Sequence, residues 1–345
     1  MIRAPALAER TLDRARRAPA TLRSISPGLA LSAVAAAGAL FVHSLMPSVS
    51  PLVVAIVLGI GLTNVVALPA VTAPGISVAA KKLLRLGIVF LGLQLVLGDI
   101  VALGLPTIAV IVAVVAGGIL GTVLIGRMLQ MPRGQTLLIA CGFSICGAAA
   151  VAGVEGVVDA EEQDVVTAVA LVVIFGTLMI PAVPFAGQAL GMDPELIGMW
   201  AGGSIHEIAQ VVAAGTIVGG GALATAVVVK LARVLMLAPV IAVLGIRQRR
   251  GVDAGAGGAR PAIVPLFMVG FLAMVALRST VALPHAALDA GRLAQLALLS
   301  AAMFALGCGV RIRTLRTVGA RPFVLATLST VLVATIALGG ILLTT

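Results

Sequence analysis

The 345 residues are 61% hydrophobic and 10% charged, carry a formal charge of +10 and have a mean hydropathy of +1.20. A water-soluble fold with that balance would have too little polar surface, so lipid is the expected solvent. Aromatic residues are only 3% and the basic residues are scattered over short loops, which argues against a nucleic-acid-binding surface.

A membrane-crossing helix needs about 20 mostly apolar residues. In chain order, the windows that meet this are 28–46, 50–66, 83–98, 106–126, 135–157, 164–187, 196–218, 223–245, 262–282, 292–310 and 322–343. They are continuously apolar and rich in Gly and Ala, whereas a closed barrel needs alternating segments of about ten residues. The predicted fold is therefore an all-α polytopic membrane protein of about 10–11 transmembrane helices, in which the 40 glycines allow close helix approach. Cys141, Cys146 and Cys308 all lie inside windows, so neither a disulfide framework nor a zinc cluster is indicated, and no cofactor is expected.

Residues 1–27 contain Arg3, Arg10, Arg14, Arg16, Arg17 and Arg23 but no apolar run, which predicts a basic cytoplasmic tail and not a cleaved signal peptide. An amphipathic helix on the headgroups and a solvated arm are both compatible with it; residues 28–345, which hold all the apolar windows, are expected to form the transmembrane domain. Positive charge recurs after alternate windows, at Lys81, Lys82 and Arg85, at Arg127 and Arg133, at Arg247, Arg249, Arg250 and Arg260, and at Arg311, Arg313, Arg316 and Arg321. All of these clusters can face the cytoplasm. Eleven spans with the N-terminus inside then place the C-terminus outside, in the cell inner membrane. The acidic link Asp159, Glu161, Glu162 and Asp164 falls outside as well, as does the loop with His285 and Asp289.

One internal match stands out. Gly142-Phe143-Ser144-Ile145-Cys146-Gly147-Ala148-Ala149-Ala150-Val151 aligns with Gly202-Gly203-Ser204-Ile205-His206-Glu207-Ile208-Ala209-Gln210-Val211. The match continues through Thr167-Ala168-Val169, Leu178-Met179 and Pro181, against Thr225-Ala226-Val227, Leu235-Met236 and Pro239. Each unit reads as a Gly-interrupted span followed by a helix with a proline-marked stop. A weaker match joins Phe90-Leu91-Gly92-Leu93 to Phe304-Ala305-Leu306-Gly307. Eleven spans make the weaker pair antiparallel but the Gly-Ser-Ile pair parallel, so the two cannot share one simple inverted repeat. Irregular backbone at membrane depth survives only around a protein-lined or watery cavity, so paired interruptions point to a transport site near the midplane; tight helix packing is the other reading of these glycines.

Three runs carry a family resemblance: Leu86-Gly87-Ile88-Val89-Phe90-Leu91-Gly92-Leu93-Gln94, Cys141-Gly142-Phe143-Ser144-Ile145-Cys146-Gly147-Ala148, and Ala201 through Val212 with its Gly-Gly-Ser-Ile-His-Glu core. They resemble the YeiH family of candidate sulfate exporters over residues 28–345. The span order at 83–98, 106–126, 135–157 and 164–187 is also similar to bile-acid:sodium symporters. That likeness implies two broken helices crossing near the midplane, in a core domain that moves against a panel domain.

Ionisable and strongly polar groups inside spans are functional candidates by default. Asn64 and Arg278 are placed to cap or snorkel near span ends, and Glu155 to join the solvated acidic loop. Glu207 and Arg233 lie about thirteen residues either side of Gly220, which at about 1.5 Å per residue brings them to one depth. They can meet there, as an ion pair that fixes packing or as part of a site. Lys230 and Arg233, three apart, share a helical face, and His206 and Gln210, four apart, share another. The first unit has Val172 and Phe175 where the second has Lys230 and Arg233, so the shared architecture does not require the charge. Glu207 can offset one of the two cations, leaving Lys230 free for a ligand.

His206-Glu207-Ile208-Ala209-Gln210 also reads like the His-Glu-x-x-His helix of a zinc metalloprotease. Gln in place of the second His argues against that remote alternative. The reading is a secondary transporter of a small anion with no catalytic or metal residues. Its candidate binding residues are Gly142, Phe143, Ser144, Ile145, Cys146, Gly147, Gly203, Ser204, His206, Glu207, Gln210, Lys230 and Arg233. Half-helix N-termini and the two cations favour an anion, and the resemblance implies sulfate or a related sulfur oxyanion or sulfonate. A carrier that moves an organic anion with H+ or Na+ is the alternative, and a homo-oligomer is left open.

Overall fold

A computed structural model describes residues 5–46, 49–158, 160–251, 266–309 and 319–344. Asp159, Arg260, Arg311, Arg313 and Arg316 lie outside the described residues, as do the side chains of residues 1–23, Glu162, Arg249 and Arg250. No strand occurs among the described residues. In chain order the helices are α1 (Pro5–Leu45), α2 (Pro51–Val65), α3 (Ala73–Val78), α4 (Leu84–Leu91), α5 (Leu97–Ala102), α6 (Gly104–Met128), α7 (Arg133–Ser144), α8 (Ala148–Glu155), α9 (Glu162–Ala189), α10 (Pro194–Ser204), α11 (Ile208–Val218), α12 (Ala222–Leu235), α13 (Leu237–Gly251), α14 (Leu266–Thr280), α15 (His285–Gly309) and α16 (Arg321–Thr344). A π-helical turn over Ala79–Leu83 joins α3 to α4. Six stretches are apolar and long enough to cross a bilayer in one piece: Ser24–Leu45, Gly104–Met128, Gln163–Ala189, Ala222–Gln248, His285–Gly309 and Arg321–Thr344. Large apolar side chains such as Leu105, Leu120 and Leu124 on α6 point out of the molecule, as a lipid-facing surface requires.

Two bundles result. α1 to α4 pack with α14 and α15, while α6 to α13 pack with α16; α5 touches both. Small residues set the closest approaches. Gly198 and Gly202, four apart on α10, rest on the backbone of Ala222 and Ala226 in α12, and a Cβ on Gly202 would lie 2.9 Å from that of Val229.

The two Gly-interrupted segments do not cross the molecule. A Cβ on Gly142 in α7 would sit 2.8 Å from a Val151 methyl in α8, so α8 folds back along α7. The far end of α8 carries Glu155, which pairs with Lys81 at 3.4 Å, and the start of α9 lies by the end of α15, where Val166 meets Gly309. α7 and α8 therefore form a re-entrant hairpin that enters and leaves on the face carrying Lys81. α9, with 28 residues and about 42 Å of rise, then reaches the opposite face. There α10 and α11 form a second hairpin: Gly215 of α11 lies against Leu223, and a Cβ on Gly220 would be 3.1 Å from Pro194 at the start of α10.

This changes several expectations. Of the eleven windows, 135–157 and 196–218 turn back among the described residues. The broken helices do not cross as spans; they meet tip to tip. The described part of the acidic link, Glu161 and Asp164, lies at the Lys81 face, since Glu155 just before it pairs with Lys81; these two residues form the capping box that starts α9. Hydropathy could not reveal this, because a hairpin of about 20 apolar residues scores like a span, and two hairpins leave the parity of the remaining crossings unchanged. The conflict between the internal matches also disappears. The hairpins enter from opposite faces, and α4 and α15 are antiparallel too, with Gly87 against Leu299 and Gly291 against Leu93. Pro181 does not stop its helix, since α9 runs through it to Ala189, whereas Pro239 falls in the first turn after the α12–α13 interruption.

The hairpin topology is directly testable. With a membrane-impermeant maleimide, Ala160→Cys and Lys82→Cys are expected to label from one side of the membrane and Glu195→Cys from the other. Labelling of Ala160→Cys from the side of Glu195→Cys would restore a crossing α7–α8 segment.

Candidate functional site

The hairpin tips, Ile145-Cys146-Gly147 and Ile205-His206-Glu207, meet in the interior of the second bundle. α7 ends where Ile145 leaves helical geometry (φ −111, ψ −86). Gly147 adopts φ +72, ψ −133, which is essentially closed to residues with a Cβ. In the second tip Ile205 and Glu207 are extended, and Glu207 is the N-cap of α11, paired with Gln210 in a capping box. The Phe143 ring lies 4.4 Å from that of His206 and 6.1 Å from that of Phe175, so the tips are clamped by rings as well as by polar groups.

Each tip exposes the final carbonyls of one half-helix and the first N–H groups of another. Lys230 and Arg233, one turn apart on α12 and both fully buried, take the carbonyls. Lys230 Nζ donates to Ile145 O at 2.9 Å, Ile205 O at 2.8 Å and His206 O at 2.6 Å. The Arg233 guanidinium donates to Ser144 O at 3.2 Å, Gly202 O and Ile205 O at 3.1 Å, and Phe143 O at 3.0 Å. Cations at helix C-termini meet the negative end of the macrodipole, and these two tie both hairpins together.

The N–H groups fall to Glu207, which is 5% exposed. Its carboxylate accepts from Ala148 N, at the start of α8, at 3.1 Å and from Gln210 N within its own capping box. One acidic side chain thus caps the first turns of α8 and α11 together. The repeat supports this arrangement, because the counterpart of Glu207 in the first hairpin is Gly147. A Cβ on Gly147 would lie 2.5 Å from Glu207 Cγ. Val172, the counterpart of Lys230, packs against Gly142 and Gly147.

Other predicted residues have plainer surroundings. His206 precedes α11 and meets Thr330 of α16 at 3.2 Å, while Gln210 reaches Val173 O of α9 at 3.5 Å. They do not share a helix face as a His-Glu-x-x-His motif requires. Ser204 Oγ donates to Trp200 O at 2.6 Å, and Ser144 Oγ faces Gly118. Gly142 and Gly203 were expected at the breaks but precede them inside α7 and α10, Gly142 against Val151 and Gly203 against Ala337. Glu207 and Arg233 do reach one depth, yet no ion pair forms within 4 Å; Lys81–Glu155 is the one such pair among the described residues. Lys230 is not a spare charge, because three carbonyls take its three donors. Sequence reasoning missed Gln295, which is 4% exposed on α15 and accepts a hydrogen bond from Gln94. Only its polarity inside an apolar window marks it.

Two cavities approach the tips from opposite faces. One of about 810 Å³ opens beside Lys81 and Glu155, between the Thr63–Thr72 stretch and α8, α9 and α15, and reaches Ala148. The other, about 140 Å³, is bounded by His43, Ser50 and Arg292 at its mouth, with Gln94 and Gln295 on one wall and Cys146, Ala149 and Glu207 on the other. Leu84 touches both, so that side chain and the first turn of α8 separate them.

The fold and these hairpins define a multi-pass, all-helical membrane protein. The family described as Conserved hypothetical protein 698 matches residues 27–326, and the chain belongs to it; this is the family of the UPF0324 membrane proteins and of the YeiH proteins. A UPF0324 membrane protein of Corynebacterium glutamicum is 66% identical over 323 residues, 94% of each chain. One from Bacteroides thetaiotaomicron is 38% identical over 84% of this chain and 87% of its own. One from Pseudomonas aeruginosa is 37% identical over 94% and 95%. No solved structure matches the chain.

Proposed function

We propose that the chain is a secondary transporter of a small anion, working by alternating access at the hairpin tips. The observation that carries this reading is the pair of cavities that reach the first turn of α8 from opposite faces, along the seam between the two bundles. Sliding one bundle against the other would close one cavity as the other opens. Two buried cations against one buried carboxylate leave the tips one formal positive charge, and the first turns of α8 and α11 present N–H groups to an incoming anion. Sulfate or a related sulfur oxyanion or sulfonate is the substrate class that the resemblance to YeiH proteins favours. On this reading the protein is not an enzyme, and it sits in the cell inner membrane with the Lys81 face cytoplasmic, as the basic loops favour.

Ligand-dependent melting of the purified protein tests the proposal. Sulfate, thiosulfate, small sulfonates and carboxylates would be compared, with and without sodium. A ligand at a hundred times its Kd adds about 2.7 kcal/mol to the native state, so one or more sulfur oxyanions should raise the melting temperature by several degrees. A panel in which no anion shifts it would remove the anion reading.

A further inference from the structure

We propose, resting on the transporter reading above, that Glu207 carries a proton through the cycle, because its carboxylate and the transported anion compete for the same two backbone positions. The carboxylate already occupies the anion-binding point of the tips, accepting from Ala148 N of one hairpin and Gln210 N of the other. Among the described residues no cation lies within 4 Å of it. What holds it there is the pair of N–H groups that a substrate would need. It also lines the smaller cavity, so water from that face can bring it a proton.

The charges around it decide which form accepts an anion. From α12 come Lys230 and Arg233, both committed to tip carbonyls. From the facing hairpin comes Cys146, and on the same tip His206, turned toward Thr330. α9 presents Val172 and Phe175. Across the cavity α15 supplies Gln295 and, at the mouth, Arg292, the 3-10 turn Gly92–Gln94 after α4 supplies Gln94, and α1 supplies His43. Beside a charged Glu207 the two cations leave one positive charge, and a dianion would turn the tips negative in a dry interior. Beside a protonated Glu207 they leave two, which a dianion balances. Protonation adds one O–H bond to the carboxyl and removes its negative charge, so it accepts more weakly and yields Ala148 N and Gln210 N to the charged anion. Release of the anion lets the carboxylate return, and the proton passes to water. One proton therefore travels with one dianion. Gly147, where the repeat could have placed a second carboxylate, has no room for any side chain, so the count stops at one.

The experiment uses the full chain with sulfate as the probe. In weakly buffered detergent solution, sulfate binding to the wild-type protein should take up one proton per anion bound. The sulfate Kd should then tighten about tenfold for each unit of falling pH, since one coupled proton changes affinity by its own concentration. Glu207→Gln should abolish both the proton uptake and the pH slope, whatever its absolute affinity, and Glu207→Asp should retain the slope. Sulfate binding without proton uptake by the wild type, or a slope that survives in Glu207→Gln, overturns this inference and leaves the transporter standing. No binding of any anion overturns the transporter reading itself.

Discussion

Replacing Arg233 by methionine is expected to destabilise the protein more than any other single change at the tips. The guanidinium satisfies carbonyls of Phe143, Ser144, Gly202 and Ile205, two from each hairpin. Each orphaned buried acceptor costs about 1–3 kcal/mol, and removing one partner from a buried charged cluster costs about 3–5 kcal/mol in total. In lipid no water relieves the loss. Reduced expression and a melting temperature lower by many degrees are the expected results. Arg233→Lys should recover only part of the loss, because an ammonium lacks the planar fork that spans both tips. Lys230→Met should be nearly as damaging, since three carbonyls lose their donor. A wild-type melting temperature for Arg233→Met would mean that the tips are held by something other than this side chain.

Gly147→Ala is expected to abolish transport while the protein still inserts. Two effects combine. The backbone at φ +72, ψ −133 costs a residue with a Cβ about 1–3 kcal/mol, and that Cβ would lie 2.5 Å from Glu207 Cγ, 2.9 Å from Glu207 Oε1 and 3.0 Å from a Val172 methyl. Glu207 must then leave the start of α8. Gly219→Ala separates the effects, since it has φ +71 but nothing within 4 Å of its Cβ; it should lose some stability and keep transport. The check is uptake of labelled sulfate into proteoliposomes with matched melting curves, and equal uptake by Gly147→Ala and wild type would refute the tip geometry.

Much of this could be read from the chain, and the unread part has a physical cause. Composition and apolar windows suffice for an all-helical membrane protein, because lipid leaves helices few competitors. The Gly-Ser-Ile match located both tips, and Lys230, Arg233 and Glu207 stood out as charges inside apolar windows. Direction was hidden. A hairpin and a span have the same hydropathy, and only the Lys81–Glu155 pair and the contacts of Gly142 and Gly220 reveal that the chain turns back. The roles of the charges were hidden for a related reason. Sequence spacing pairs Glu207 with Arg233 by depth, yet half-helix ends carry their own charge, and the cations go to the carbonyl ends while the carboxylate goes to the N–H ends.

The most direct test of the account is the accessibility of Cys146. This native thiol lies in the first tip, 6% exposed, on the wall of the smaller cavity. With Cys141 and Cys308 replaced by alanine, a membrane-impermeant thiosulfonate would be applied to right-side-out and inverted vesicles, with and without sulfate. Alternating access at the tips predicts modification from both faces, with sulfate changing the two rates in opposite directions or slowing both. Modification from one face only, at a rate indifferent to sulfate and every other anion tried, would contradict it.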